Sequence, residues 1–156
     1  MIGVYRRRVS DALLTSIATV VATSEQRDVR AQRAAELIRE ATRVRWVGIY
    51  TVTDDMVTNE AWSGPAAPAH PAFPVTDGLT SQAVRSRSIA LSNDVARDPR
   101  YLTNQDDTGS ELIVPILDAQ DVLGTLDIES DAVGAFDGAA IAAYQDLARA
   151  LRRLWC

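Results

Sequence analysis

Residues 110–136, SELIVPILDAQDVLGTLDIESDAVGAF, constrain this chain more than any other stretch. Two apolar, β-rich runs flank the polar turn Asp118-Ala119-Gln120-Asp121, which predicts a hairpin. The second run carries two acids, Asp127 and Glu129, between Leu126 and Ser130. Strand side chains alternate between faces, so Leu126 and Ile128 point one way and the acids the other. Two carboxylates on one strand face are either a solvated surface or the charged wall of a pocket. Glu111, on the first run, joins them only if the register allows. A two-residue turn at Ala119-Gln120 sets Leu112 opposite Asp127, whereas one extra loop residue or a bulge would set Glu111 there.

The flanking segments read as helices at one period and strands at another. Val9, Leu13, Ile17, Val20 and Val21 form a helical stripe with Ser10 or Asp11 near its start. A second helix is expected from about Arg27 to Thr42, with Val29, Ala34, Leu37, Ile38 and Ala41 inward. The period then drops to two, giving strands over 45–52 and 56–62 around Asp54-Asp55. Pro65, Pro68, Pro71 and Pro74 exclude a helix and a central strand, so 63–74 is a long connection of the kind that often forms a lid. A short helix over 78–86, a strand over 88–92 and a polar loop over 93–109 lead into the hairpin. Asp137 caps a last helix over 138–155, with Ile141, Tyr144, Leu147, Leu151 and Leu154 as its stripe. Helices at both ends of an antiparallel sheet define an α+β fold.

Composition removes several classes of function. Apolar residues make up 47% and charged residues 24%, an ordinary balance for a globular chain. No apolar run approaches the roughly 18 residues of a membrane span. Polar residues at helical spacing, Ser10, Asp11, Thr15, Ser16 and Thr19, break the apolar part of the N-terminus and argue against a cleaved leader. The net charge of −5 predicts no nucleic-acid partner, and the triplet Arg6-Arg7-Arg8 reads as a solvated helix end. All 16 basic residues are arginine. A single cysteine, Cys156, and a single histidine, His70, offer no disulfide, no metal centre and no cofactor ligand set, and point to the cytoplasm.

Four groups of residues carry a resemblance. They are Val47-Gly48-Ile49-Tyr50; Gly78-Leu79-Thr80-Ser81-Gln82-Ala83-Val84; Asn93-Asp94-Val95 with Asp98-Pro99-Arg100-Tyr101; and Leu123-Gly124-Thr125-Leu126-Asp127-Ile128. On these the chain resembles a GAF domain along nearly its whole length. The resemblance implies one domain over 1–156. Helices at 1–43 and 137–156 would pack on one face of an antiparallel sheet, and the loops of 44–136 would cover a ligand pocket on the other. Ser110-Glu111-Leu112-Ile113-Val114-Pro115 is similar to the S-E-I-V-L-P segment of free methionine-(R)-sulfoxide reductases. Leu126-Asp127-Ile128-Glu129-Ser130, continued by Gly134 and Phe136, is similar to their L-D-I-D-S segment. In that group the acids contact substrate and thiols on two loops reduce it. Carried over, the acids fall on Glu111, Asp127 and Glu129, and the thiol positions on His70, Thr80 and Asn104. None of the latter is cysteine, yet sulfoxide reduction needs an attacking thiolate and a second thiol to resolve it.

The expected site is therefore a binding pocket made of Glu111, Asp127, Glu129, Thr80, His70 and Asn104, with Tyr50, Trp62, Phe73 and Tyr101 as apolar walls. Trp46 and Trp155 are assigned to packing or a dimer surface, and Arg100 to local pairing in its loop. Carboxylates at this density favour an ammonium group and disfavour phosphate. Three functions remain open: a non-catalytic sensory or regulatory binding domain, an enzyme of the reductase type, and a ligand-free dimerisation module. A homodimer through the terminal helices and a separate signalling partner follow from the resemblance alone.

Overall fold

The computed structural model describes the backbone from Ile2 to Cys156 and side chains from Asp11 onward. Val9 and Arg6-Arg7-Arg8 lie outside the described side chains. The elements run α1 (Ile2–Val21), α2 (Arg27–Thr42), β1 (Trp46–Val52), β2 (Met56–Ser63), β3 (Ala72–Pro74), α3 (Gly78–Ser86), β4 (Ala90–Ser92), β5 (Ser110–Asp118), β6 (Asp121–Ser130) and α4 (Gly138–Leu151). A 3₁₀ turn at Arg152–Trp155 ends the last helix earlier than expected. The strands form one six-stranded antiparallel sheet in the order β3-β2-β1-β6-β5-β4. The fold is α+β, as the period changes predict.

Several boundaries differ, each for a physical reason. The first helix starts well before Ser10. The proline-rich connection ends in β3, a three-residue strand that pairs only with β2, so Pro74 needs no donor on its outer side. On α2 the inward residues are Ala31, Ala34, Ala35 and Ile38, while Val29 is exposed and Ala41 faces out. Small alanines win that face because they let the helix lie close on β1 and β2, against which it packs. Asp137 does cap α4, its Oδ1 accepting from the Ala140 amide at 2.8 Å.

The main core lies between the helices and one face of the sheet. Leu13, Ile17 and Val21 of α1 and Tyr144, Leu147 and Leu151 of α4 meet Val47, Ile49, Leu112, Val114, Leu126 and Ile128 from the strands. Of the terminal-helix stripes, Leu13, Ile17, Leu147, Leu151 and Leu154 are buried within this core and Val20 is half-buried. A second, smaller aromatic cluster of Trp46, Tyr50, Val57 and Phe73 lies on the other face of the sheet. Between that cluster and the loops is the site.

Candidate functional site

The acids reach one place through a bulge. The hairpin turns at Asp118↔Asp121, with Ala119 left-handed at φ 52°, and then Leu123 stands unpaired on β6. From there the register sets Ile113 opposite Asp127 and Glu111 opposite Glu129. This corrects both expected alternatives. The extra residue lies in β6 rather than β5, so the slip runs the other way. The outcome keeps Glu111, Asp127 and Glu129 on one face, joined by Trp46, Gly48 and Tyr50 of β1, whose partners are Glu129, Asp127 and Thr125.

All three carboxylates are buried, with exposures of 7% for Glu111, 7% for Asp127 and 2% for Glu129. They line a small cavity with Trp46, Tyr50, His70, Phe73, Gly78, Leu79, Thr80, Leu102 and Asn104. Of the expected site residues, Glu111, Asp127, Glu129, Tyr50, Thr80, His70 and Asn104 are in this lining. Trp62 is not; it pairs with Gly48 and packs on the aromatic cluster. Tyr101 is not an apolar wall either, because its hydroxyl donates to Glu129 at 2.7 Å. The cavity's free volume is about 30 Å³, room for roughly one water. A larger groove of about 680 Å³ runs past Val52, Thr76, Arg85, Arg87 and Gln120 at the hairpin-turn end of the sheet, but all its charged side chains are exposed.

Trp46, expected to serve packing or a dimer surface, packs in the aromatic cluster and also lines the cavity, a second role that the sequence reading did not assign it. It is fully buried, it lines the cavity, and its Nε1 donates to Ala66 O at 3.0 Å. A Cβ on Gly48 would stand 2.4 Å from the indole and one on Gly64 only 2.2 Å away. The ring thus lies flat in a slot that two glycines leave open. The signal was present: a glycine two places along the same strand face from a tryptophan marks room for its ring. Leu79 and Leu102 complete the apolar lining and carried no comparable signal.

The electrostatics follow from burial. Burial raises Asp127 to about 7, with the nearby Thr125 hydroxyl opposing the rise and the Glu129 charge adding to it. Neither Asp127 Oδ1 nor Thr125 Oγ1 makes a hydrogen bond. Burial also raises Glu111 well above the ordinary carboxyl range, with the charges of Glu129, Asp127 and Asp98 reinforcing it. Glu129 is raised by burial too, but donors from Asn104, Tyr101 and Thr108 work against the rise. Tyr50 is pushed up first by burial and then by the three acids. No arginine lines the cavity. The nearby Arg100 is held outside, exposed and paired to Asp98 at 2.6 Å and to Gln82. The site is a buried acidic floor with no arginine or lysine in its lining, and its chemistry suits a cationic group.

Residues 26–153 match the family model of the GAF domain. The chain belongs to the GAF domain family. It is 26% identical over 106 residues to the free methionine-R-sulfoxide reductase of Escherichia coli (strain K12), covering 68% of this chain and 63% of that one. It thus spans about 63% of the length of the curated relative it matches. The fold is similar to the free methionine-R-sulfoxide reductase of Neisseria meningitidis, solved in complex with its substrate. The TM-score is 0.84 at 25% identity, over 94% of this chain and 87% of that one. It is also similar to the type II enzyme of Thermoplasma acidophilum, with a TM-score of 0.77 at 29% identity, over 82% and 91% of the two chains. The cysteine of this chain, Cys156, is exposed and does not line the cavity.

Proposed function

We propose that this GAF domain is a non-catalytic sensory or regulatory module whose acidic cavity binds a small amine or free amino acid. The observation that carries the reading is Asp127: a buried carboxylate with an unpartnered oxygen, among three acids and no lining arginine or lysine. An ammonium group supplies the missing positive charge and the missing donors at once. Likeness to proteins named for a free amino-acid substrate supports the amino-acid class. The absence of cysteine at His70, Thr80 and Asn104 supports binding without reduction. The reading extends to a cytoplasmic homodimer that passes its signal to a separate polypeptide.

Calorimetric titration with L-methionine and L-methionine-(R)-sulfoxide tests it. Saturable binding is expected, weakened about tenfold or more by Asp127→Ala, because a charge-assisted contact is worth roughly 1.5–3 kcal/mol. Binding that survives Asp127→Ala unchanged would contradict the assigned site. The reductase reading instead predicts turnover of the sulfoxide with a dithiol, abolished by Asp127→Ala. A cavity of about 30 Å³ favours a third reading, a ligand-free module, which predicts no heat with either compound.

A further inference from the structure

The cavity is far smaller than the roughly 300 Å³ or more that small-molecule sites occupy, and what closes it is a defined set of bonds. Three side chains of loop 93–109 converge on Glu129. Tyr101 Oη donates to Oε1 at 2.7 Å, Thr108 Oγ1 donates to the same oxygen at 3.1 Å, and Asn104 Nδ2 donates to Oε2. Asn104 works in both directions, for its Oδ1 accepts from the Ala69 amide of loop 64–71 at 3.1 Å. The next residue repeats the link, with Gln105 Nε2 donating to Ala67 O at 3.2 Å. Both loops and the floor of the sheet therefore meet at one carboxylate. Asp127, two residues earlier on the same strand face, touches neither loop through any hydrogen bond of its Oδ1.

We infer that Glu129 is the latch of a two-loop lid and Asn104 its keeper, while Asp127 and Glu111 are the acids that face an entering ligand. The inference deepens the proposed function: its ligand-facing half rests on that reading, and the latch itself rests on the free protein alone. Charge-assisted bonds to a buried carboxylate are strong, so the closed lid is the resting state. Opening must break these bonds, and the donors released find water only once the loop has lifted. Asn104, one of the positions where similar reductases carry a thiol, here joins the same two loops through an amide.

Hydrogen–deuterium exchange of the ligand-free protein reads the latch directly, since local opening sets the exchange of loop amides. Asn104→Ala and Glu129→Gln are each expected to speed exchange across both 64–71 and 93–109 by about tenfold or more, the scale of one lost charge-assisted bond. Asp127→Asn should leave both loops within about twofold of the parent. If Glu129→Gln does not fold, Asn104→Ala and Thr108→Val carry the test, with melting curves showing that the core is intact. Unchanged loops in Asn104→Ala, or equal acceleration in Asp127→Asn, would overturn the latch. Accelerated loops together with no calorimetric heat would sink the ligand reading and leave the latch standing.

Discussion

Asp127 concentrates the physics of this site in one side chain. Its carboxyl titrates near 7 in the folded chain, against roughly 3.9 when unfolded. Between those values the folded state holds more protons, so stability falls as pH rises from about 4 to 7 and stays reduced above. The full difference amounts to a few kcal/mol at most, on the order of 1.4 kcal/mol for each pH unit between the two values. Asp127→Asn removes the ionisation and keeps the shape, and its amide finds the free Thr125 hydroxyl as a neighbour. Melting temperatures should favour the variant at about pH 8, with the gap closing towards about pH 5, where both side chains are neutral. A gap that is constant with pH would show that Asp127 titrates alike in the folded and unfolded chain, so that burial does not raise its carboxyl. The sequence already placed Asp127 and Glu129 on one face by alternation. It could not show which acid is free and which is held, because Tyr101, Asn104 and Thr108 reach Glu129 from a loop more than twenty residues away.

The hairpin of β5 and β6 is the element on which the site depends. Its existence was legible from two apolar runs and a polar turn, and its register was not. Leu123 bulges out of β6, and no residue type in Val122-Leu123-Gly124 announces which position will be left unpaired. Without the bulge the strands would slip by one, and every side chain on one partner would change face. Deleting Leu123 is therefore expected to destabilise the protein more than Leu123→Ala, which trims only a half-buried side chain. Urea unfolding of the two variants measures the difference. Equal midpoints would mean that the bulge does not set the register. The helices around this sheet show the same division. The apolar period located α2 to the residue, but alanines rather than Val29 and Leu37 turned out to make its closest packing, since helix-to-sheet distance is set by the smallest side chains and not the most hydrophobic.

Across the whole molecule the two faces of the sheet do different work. One is sealed by α1, α2 and α4 over the main core. The other carries the acids under two loops that are tied to each other and to Glu129. Among the described residues no helix is long and apolar enough to cross a membrane, and no group of three or more His, Cys, Asp or Glu is arranged to hold a metal ion. That second face gathers three buried carboxylates in a cavity lined by no arginine or lysine. The most direct measurement is a calorimetric titration with L-methionine at about pH 6 and about pH 8, in two buffers of different ionisation heat. The account predicts tighter binding at the higher pH, by up to about tenfold, and proton release at the lower, because the ligand's ammonium binds the ionised form of Asp127. Binding that is independent of pH and releases no proton would contradict it.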